Sequence, residues 1–235
     1  MTFIIHHQNN IAESKRIAKI YNRLAKSYDL LGEYLLGIIF SPFGYGSYHQ
    51  STIASLDLQP GDTVIDICCG TGLNFPLLEK AIGSEGKIIG VDLTEGMLAQ
   101  ARKRVEKNGW ANVELVQSDV TFYQFPTGVD GIISTWGITL VPECERAIQN
   151  GSQALSPGKR WVILDFKIPD NWLAMFAPLL SFPFIRPFGG NLQMANRHPW
   201  ELIDKYLKNT SFTELLLGFV YIAVGSREQE EGYYE

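Results

Sequence analysis

Carboxylates occur at or near the ends of three successive apolar runs in the chain. Asp66 lies within a β-branched run, and Asp92 and Asp119 follow two later runs. The first run leads into Gly70-Thr71-Gly72, and a glycine-rich turn between a strand and a helix lets the backbone approach a ligand closely. Parallel strands bring their carboxyl ends to one edge of a sheet, where nucleotide-like ligands bind. The three acids are therefore predicted to share one binding edge.

The acids also indicate which nucleotide-like ligand would bind there. Asp92 can accept hydrogen bonds from both hydroxyls of a ribose, and Asp119 can meet the amino group of an adenine. A dinucleotide-binding loop has a third glycine three residues after Gly72, where this chain has Phe75. Asp66 would repel a pyrophosphate and attract an ammonium or sulfonium group. The residues favour S-adenosylmethionine, and a plain α/β domain whose acids only cap strand ends is the alternative.

The elements that must position these acids alternate between strand and helix. Apolar runs predict strands at Thr63–Ile67, Lys87–Leu93, Val113–Gln117, Gly131–Thr135, Arg160–Phe166, Phe212–Leu217 and Val220–Val224. Helical spacing predicts helices at His49–Leu56, Asn74–Ile82, Glu95–Asn108 and Glu143–Leu155. Such alternation indicates a parallel sheet covered by helices on both faces. The short connection at Gly218 predicts that the last two strands pair antiparallel.

Length and composition limit the class of protein. The chain has 235 residues, of which 46% are hydrophobic and 19% charged, enough for one sizeable α/β domain and too apolar for disorder. The net charge of −5 argues against a nucleic-acid partner, because phosphate contacts need a basic face. Three cysteines, two of them adjacent, suggest a reducing compartment rather than a disulfide framework or a metal site. With no signal-peptide pattern and no apolar run of roughly 18 residues, we expect a cytoplasmic protein.

Residues 1–59 are predicted to form a helical extension on the substrate side, ahead of a cofactor-binding core at 60–235. Within 11–28, apolar residues recur at helical spacing beside a basic stripe. The stripe consists of Arg16, Lys19, Arg23 and Lys26, and Lys15 is a fifth basic residue of the same segment. Such a helix is either an ordinary docked helix with a solvated basic face or one that also contacts an anionic membrane surface or an acidic substrate.

A stretch without any charge, Trp172–Ile185, follows the fifth predicted strand. It is too short and too interrupted by proline to span a bilayer. We expect a lid insertion at about 168–200 whose apolar residues receive a lipid-like tail or dip into a membrane surface. A helix that merely packs on the core is the alternative.

Three motifs resemble those of class I S-adenosylmethionine-dependent methyltransferases: Asp66-x-Cys68-x-Gly70-x-Gly72, Gly90-Val91-Asp92-Leu93 with Met97, and Ser118-Asp119-Val120. The resemblance spans about 60–225 and implies a Rossmann-like α/β fold. Its seven-stranded sheet would be mostly parallel, with an antiparallel last strand and helices on both faces. Tyr21–Asp29 resembles the start of ubiquinone/menaquinone C-methyltransferases, and Gly72–Leu77 resembles bacterial phosphatidylethanolamine N-methyltransferases. Asp165-Phe166-Lys167 departs from the Glu-Phe-Ser pattern of the quinone enzymes.

The resemblance also implies roles for individual residues. The implied cofactor-binding residues are Asp66, Cys68, Gly70, Gly72, Asn74, Asp92, Leu93, Met97, Asp119, Val120 and Thr135. The implied substrate-binding residues are Tyr21, Tyr28, Tyr45, Trp136, Trp172 and Phe176. A base is useful because an ammonium cannot attack and a phenol is a better carbon nucleophile when ionised. The candidates for the base are His49, His198 and Tyr28, although a given histidine is more often structural.

The sequence thus predicts an S-adenosylmethionine-dependent methyltransferase that acts on a lipophilic small molecule. The acceptor is either a prenylated quinol-type carbon or a phospholipid-type nitrogen, and no metal is needed because the sulfonium already activates the methyl group. A noncatalytic S-adenosylmethionine- or lipid-binding protein is the alternative. An NAD(P)-dependent oxidoreductase is disfavoured by Phe75 and by the absence of a Tyr-x-x-x-Lys pair. A peripheral membrane contact and either a monomer or a homodimer are compatible with the sequence.

Overall fold

A computed structural model describes residues 2–30, 45–176, 186–191, 194 and 196–229. The strands are β1 (Thr63–Ile67), β2 (Lys87–Asp92), β3 (Val113–Gln117), β4 (Val129–Thr135), β5 (Leu155–Phe166), β6 (Lys208–Leu215) and β7 (Val220–Ser226). In the described part of the chain, the helices of eight residues or more are α1 (Thr2–Leu24), α2 (Tyr45–Ala54), α3 (Phe75–Ile82), α4 (Glu95–Asn108), α5 (Cys144–Ala154) and α6 (Pro199–Tyr206).

The seven strands form one sheet in the order β3-β2-β1-β4-β5-β7-β6. β7 runs antiparallel to β5 and to β6, while the pairs formed among β1 to β5 are parallel. The predicted fold class is confirmed. The order of strands reverses between β1 and β4, and open α/β sheets bind their ligands in the crevice at such a point, beyond the carboxyl ends of the strands.

The core lies on both faces of the sheet because side chains alternate along each strand. In β1, Ile65 and Ile67 pack on the face that α5 and α6 cover, whereas Val64 packs on the face that α2, α3 and α4 cover. Asp66 shares the face of Val64 and is fully buried there. The face that Asp66 occupies determines which helices it can meet at the site.

Helix ends near the site follow local signals. α4 begins and ends at the predicted residues, after the extended Thr94 and before Gly109, whose φ of +68° suits a left-handed C-terminal residue. α3 begins with Phe75 and has a proline in its first turn, where the missing N–H costs no helical hydrogen bond. The first turn of α3 therefore starts directly at the glycine-rich loop.

Several boundaries differ from the predictions. β5 begins at Leu155 rather than at the predicted Arg160, and its first residues, which include Pro157-Gly158, lie opposite a register shift in β4. α6 was not predicted, and α1 begins well before residue 11 and ends at Leu24. Residues 31–44 of the predicted helical extension and residues 177–185, 192, 193 and 195 of the expected lid lie outside the described residues.

Among the described residues, no helix is both long enough and apolar enough to cross a lipid bilayer.

Candidate active site

A pocket opens at the carboxyl edge of the sheet, beside the crevice between β1 and β4. It encloses about 690 Å³ of empty space, part of it open to solvent. The predicted site residues in its wall are Tyr21, Tyr28, Cys68, Gly70, Asp92, Leu93, Met97, Asp119, Val120, Thr135 and Trp136. The structure therefore brings residues from α1 and from the first four strands to one place.

Asp92 joins the end of β2 to the glycine-rich loop. Its carboxylate accepts hydrogen bonds from the backbone N–H of Gly70 at 2.9 Å and from the N–H and hydroxyl of Thr94 at 2.8 and 2.7 Å. Burial raises the pKa of Asp92, although these hydrogen bonds favour its ionised form. Because a carboxylate accepts about four hydrogen bonds, a ribose that donates two would have to replace one of the present donors.

Asp119 and three apolar side chains form the wall beyond Asp92. One Asp119 oxygen accepts a hydrogen bond from the N–H of Thr121 at 2.9 Å, which holds the loop after β3. Leu93, Met97 and Val120 line the same pocket. A carboxylate next to a slot with apolar walls suits a flat heterocycle that carries an amino group.

Asp66 lies behind the pocket wall rather than in it. Its side chain is 0% exposed, and the amide Nδ2 of Asn74 donates to both of its carboxylate oxygens at 3.2 and 3.1 Å. Burial raises the pKa of Asp66 to about 7. The pocket wall does not include Asp66, Gly72 or Asn74, so any effect of Asp66 on a ligand passes through neighbouring groups in this conformation.

Gly72 has a packing role in the loop. Its φ is +76°, and a Cβ built there would lie 2.5 Å from a ring carbon of Phe75. The phenylalanine that replaces the third glycine of a dinucleotide loop is fully buried beneath Gly72. The loop therefore closes over an aromatic ring, and its second glycine leaves the space for that ring.

α1 contributes Ser14, Ile17 and Tyr21 to the pocket wall, and Tyr28 follows from the turn after the helix. The rings of Tyr21 and Tyr28 lie 5.8 Å apart. Burial, together with Tyr28 and nearby acids, raises the pKa of Tyr21 well above its ordinary value. The Tyr21 phenol therefore stays protonated and is able to donate a hydrogen bond.

Polar contacts across long sequence distances hold α1 in this position. The N–H of Gly96 donates to Asn22 Oδ1 at 2.7 Å, and Arg197 Nη2 lies 2.6 Å from Glu13 Oε2. Arg197 also donates to the carbonyl of Thr139 at 2.9 Å. Glu13 and Arg197 were not predicted, because nothing in the local sequence indicates a contact between residues 184 positions apart.

Two residues with positive φ meet at the ends of β1 and β4. Cys68 has a φ of +55° and Trp136 a φ of +59°, a conformation that non-glycine residues adopt rarely and that concentrates at functional sites. A Cβ at Gly137 would lie 2.4 Å from the Cβ of Cys68, so only glycine fits between them. Burial also raises the pKa of the Cys68 thiol, which keeps it protonated.

The three candidates for the base occupy different places. Tyr28 lines the pocket. His49 lies behind Trp136, with its Nε2 accepting from the indole N–H at 3.1 Å and its Nδ1 2.9 Å from Asn74 Oδ1. His198 stacks on Trp200 at 4.7 Å, and the structure does not bring it into the pocket wall. A catalytic role for any of the three stays a prediction.

The remaining predicted substrate contacts are not in the pocket wall. Trp172 is 74% exposed and Phe176 is 40% exposed, and their rings meet edge to face at 6.1 Å. Both belong to a short 3-10 helix, Trp172–Phe176, after β5. The backbone of Tyr45 opens α2, but its side chain lies outside the described part of the structure. Their part in binding an acceptor stays a prediction.

The sequence model of the ubiE/COQ5 methyltransferase family matches residues 9–216, most of the chain. This chain belongs to the ubiE/COQ5 methyltransferase family. Relatives of this ubiE/COQ5 methyltransferase include the demethylmenaquinone methyltransferase of Symbiobacterium thermophilum, which is 25% identical over 91% of this chain and 93% of its own length. The ubiquinone/menaquinone biosynthesis C-methyltransferase UbiE of Pseudomonas entomophila is 30% identical over 77% of this chain and 69% of its own length.

Solved structures share the fold of this ubiE/COQ5 methyltransferase. A SAM dependent methyltransferase from Aquifex aeolicus has a TM-score of 0.56 at 20% identity and covers 76% of this chain and 88% of its own. Geranyl diphosphate C-methyltransferase from Streptomyces coelicolor has a TM-score of 0.60 at 14% identity, covering 77% and 79% respectively. At these identities the likeness establishes the fold.

The enzyme is an S-adenosylmethionine-dependent methyltransferase, as predicted. The chemistry of the pocket wall fits that cofactor, because it offers Asp92 and Asp119 as acceptors for the ribose and adenine and an apolar slot for the ring. Gly70 has a φ of +56° and allows close backbone approach to the amino-acid tail. Among the described residues, no group of three or more His, Cys, Asp or Glu side chains is arranged to hold a metal ion.

Proposed function

We propose that this enzyme transfers a methyl group to a ring carbon of a quinol that carries a lipophilic tail. The names of the relatives support a quinone-type acceptor. The composition of the pocket wall carries the proposal, since aromatic and aliphatic side chains line the same pocket as Asp92 and Asp119. These side chains are Tyr21, Tyr28, Trp136, Leu140 and Val141.

A phospholipid amine fits the same wall less well. Its headgroup carries a phosphate, which proteins hold with arginine, lysine or backbone N–H groups. Among the described residues of the pocket wall there is no lysine and no arginine. A neutral or phenolic ring needs no such cation and gains from stacking on aromatic faces. The carbon acceptor is therefore favoured over the nitrogen acceptor.

The cofactor, when bound, supplies an electrophilic methyl group on a sulfonium. The task of the protein is to align the acceptor and exclude water. Asp92 and Asp119 would hold the ribose and adenine, while Leu93, Met97 and Val120 would pack against the adenine ring. α1 covers this region and limits access of water. The neutral Tyr21 phenol and Tyr28 would hydrogen-bond the oxygens of a quinol.

The test is a comparison of acceptors with methyl-labelled S-adenosylmethionine. The acceptors are a demethylmenaquinol with a short prenyl tail, kept reduced, and phosphatidylethanolamine in vesicles. We expect label on a ring carbon of the quinol, located by NMR of the product, and none on the lipid amine. The Asp92→Ala variant is the control, because any label that it still transfers does not depend on the proposed cofactor site. Label on the amine with none on the quinol would contradict the proposal.

We also propose that the enzyme meets its acceptor at an anionic membrane surface through α1. Lys15, Lys19, Arg23 and Lys26 are exposed, and none of them has an ion pair among the described residues. Arg16, by contrast, donates to the carbonyl of Gly189 at 2.9 Å. α1 and the turn after it thus offer exposed cations that suit anionic headgroups.

The expected lid extends this proposal to the tail of the acceptor. Trp172, Met175 and Phe176 expose apolar side chains after β5, where a prenyl chain that leaves the pocket would find an apolar surface. Deletion of residues 172–185 is expected to abolish turnover of the prenylated quinol and to leave the affinity for S-adenosylhomocysteine unchanged. Unchanged turnover would contradict the proposal that this segment receives the tail of the acceptor.

A further inference from the structure

A chain of hydrogen bonds runs behind the pocket wall and ends at Trp136. It starts at the carboxylate of Asp66 in β1, passes through the side chain of Asn74, which precedes α3, and continues to His49 in α2. His49 Nδ1 lies 2.9 Å from Asn74 Oδ1, and His49 Nε2 lies 3.1 Å from the indole Nε1 of Trp136. Four elements separated in sequence therefore converge on one indole ring.

The chemistry of each partner fixes the direction of every hydrogen bond. An indole N–H only donates, so Nε2 of His49 must accept. The imidazole is then neutral with its proton on Nδ1, which donates to Asn74 Oδ1. The Asn74 amide is left with Nδ2 facing the Asp66 carboxylate and the hydroxyl of Thr135, at 3.0 Å from the latter. Flipping the amide would set donor against donor at His49.

Trp136 needs such support because its backbone conformation is unfavourable. Its φ of +59° is sparsely populated for a bulky residue. The Trp136 ring lies 4.5 Å from the ring of Phe166 and 6.2 Å from that of His49, while it lines the pocket. The backbone N–H of Trp136 donates to the carbonyl of Leu164 at 2.8 Å. Contact with the Phe166 ring, tilted by 36° to the indole, sets the plane of the indole, and the bond to His49 sets its rotation within that plane.

We propose that His49 is a positioning residue that orients Trp136 against the methyl acceptor, with Asn74 and Asp66 fixing the tautomer of His49. The proposal rests on the proposed function in that Trp136 faces the quinol ring. It gives His49 a role other than that of a base, since both ring nitrogens are engaged in the chain. A base at this position would need a free nitrogen that faces the acceptor.

The test compares His49→Gln, whose amide oxygen is able to accept from the indole, with His49→Phe, which has no acceptor. The first readout is the indole N–H resonance of Trp136 in ¹⁵N NMR, assigned by its loss in Trp136→Phe. We expect His49→Phe to shift this resonance upfield and His49→Gln to leave it close to that of the wild type. This readout needs no substrate, so it judges the proposal even if the quinol proves not to be the acceptor.

Kinetics and a double-mutant cycle supply the second readout. With the acceptor that the enzyme methylates, His49→Phe is expected to raise KM for that acceptor roughly three- to tenfold, the loss of one hydrogen bond. Affinity for S-adenosylhomocysteine should stay within about twofold, and His49→Gln should restore KM. In the Trp136→Phe background, His49→Phe should add little, because the partner is already absent.

Other results would overturn the proposal. An unmoved indole resonance in His49→Phe would show that His49 does not orient Trp136. His49 would be the base instead if kcat fell in His49→Gln as far as in His49→Phe and if an ionisation disappeared from the pH–rate profile. If His49→Phe does not fold, as judged by thermal unfolding, His49→Ala in the presence of added imidazole replaces it, and failure of imidazole to restore the indole resonance counts against the proposal.

Discussion

Asp66, Asp92 and Asp119 lie at or near the ends of three neighbouring strands, yet their surroundings give them different chemistry. Asp92 and Asp119 reach the pocket wall, whereas Asp66 is buried behind it against the amide of Asn74. Burial raises the pKa of both Asp66 and Asp92, but Asp92 accepts bonds from Gly70 and Thr94 that favour its charge. Asp92 is thus the acid best prepared to meet a ribose.

Asp92→Asn is expected to weaken binding of S-adenosylhomocysteine by about 10- to 100-fold, because hydrogen bonds to a charged group are each worth about 1.5–3 kcal/mol. Titration calorimetry measures the loss. The exposed Asp204→Asn, in α6 and outside the pocket wall, is the matched control and should bind normally. Equal binding by Asp92→Asn and the wild type would remove Asp92 from the cofactor site.

Asp66 makes the stability of the fold depend on pH. Its folded pKa of about 7 lies above the ordinary value of 3.8, so between these values the folded protein keeps a proton that the unfolded chain has released. The free energy of unfolding should therefore fall as the pH rises from about 4 to 7. Asp165, with a pKa raised by burial to about 6, contributes in the same direction.

Asp66→Asn, which cannot ionise, should lose the Asp66 part of this slope. Between pH 4 and pH 8, the wild type should therefore lose on the order of 3 kcal/mol more unfolding free energy than the variant loses. Urea unfolding across that range measures it, and Asp204→Asn should keep the wild-type slope. A difference that stays constant with pH would contradict the assignment to Asp66.

At the scale of elements, α1 and the glycine-rich loop are joined by one side chain of α4. Arg104 donates through Nε to the carbonyl of Thr71 at 2.9 Å, and its Nη2 lies 2.6 Å from Asp29 Oδ2. The other oxygen of Asp29 accepts from the hydroxyl of Thr71 at 2.5 Å. The three residues form a closed ring that fixes the loop and the chain after α1 at the same time.

Arg104→Lys should open this ring, because an ammonium group has no planar fork to serve a carbonyl and a carboxylate together. We expect S-adenosylhomocysteine to bind roughly three- to tenfold more weakly and amide hydrogen exchange to increase at residues 20–30. The matched control is Arg102→Lys on the exposed side of the same helix, where Arg102 pairs with Glu95. If both variants behave alike, the ring does not support the cofactor site.

Sequence predictions were most accurate where local chemistry determines an element. β1, β3 and α4 have the predicted bounds, because β-branched runs and a left-handed Gly109 act over a few residues. The strand-end position of Asp92 and Asp119 followed from the parallel order of the strands. Local signals were insufficient for β5, which begins at Leu155 opposite Val129 of β4, although its regular pairing with β4 and β7 starts only at Arg160.

Contacts between distant residues account for the part of the site that the sequence did not reveal. The apolar spacing in α1 predicted a helix, but its place against the pocket depends on Glu13 meeting Arg197 and on Asn22 meeting Gly96. The burial of Asp66 likewise follows from the packing of α2 and α3 on one face of β1. Neither the position of α1 nor the burial of Asp66 is indicated by the residues of a single segment.

At the scale of the whole molecule, the charge is unevenly distributed. The net charge is −5, yet α1 exposes Lys15, Lys19 and Arg23, and Lys26 is exposed in the turn after it. Glu13 lies against Arg197 and Asp29 against Arg104. Glu13 and Asp29 are thus paired with arginines outside α1, so they do not compensate the basic face of α1. An anionic surface would attract the basic face and repel the rest of the protein, whose net charge is negative.

Lys19→Gln combined with Arg23→Gln should therefore weaken binding to anionic vesicles. Each cation near such a surface is worth about 1 kcal/mol, so the pair should lower the partition coefficient roughly ten- to thirtyfold. Co-sedimentation with vesicles of phosphatidylcholine containing 30% phosphatidylglycerol, against phosphatidylcholine alone, measures the effect. Lys103→Gln with Lys107→Gln removes the same charge from exposed positions of α4 and should bind as the wild type. Equal losses in both double variants would assign the attraction to net charge rather than to α1, and binding that is insensitive to salt would exclude an electrostatic contact altogether.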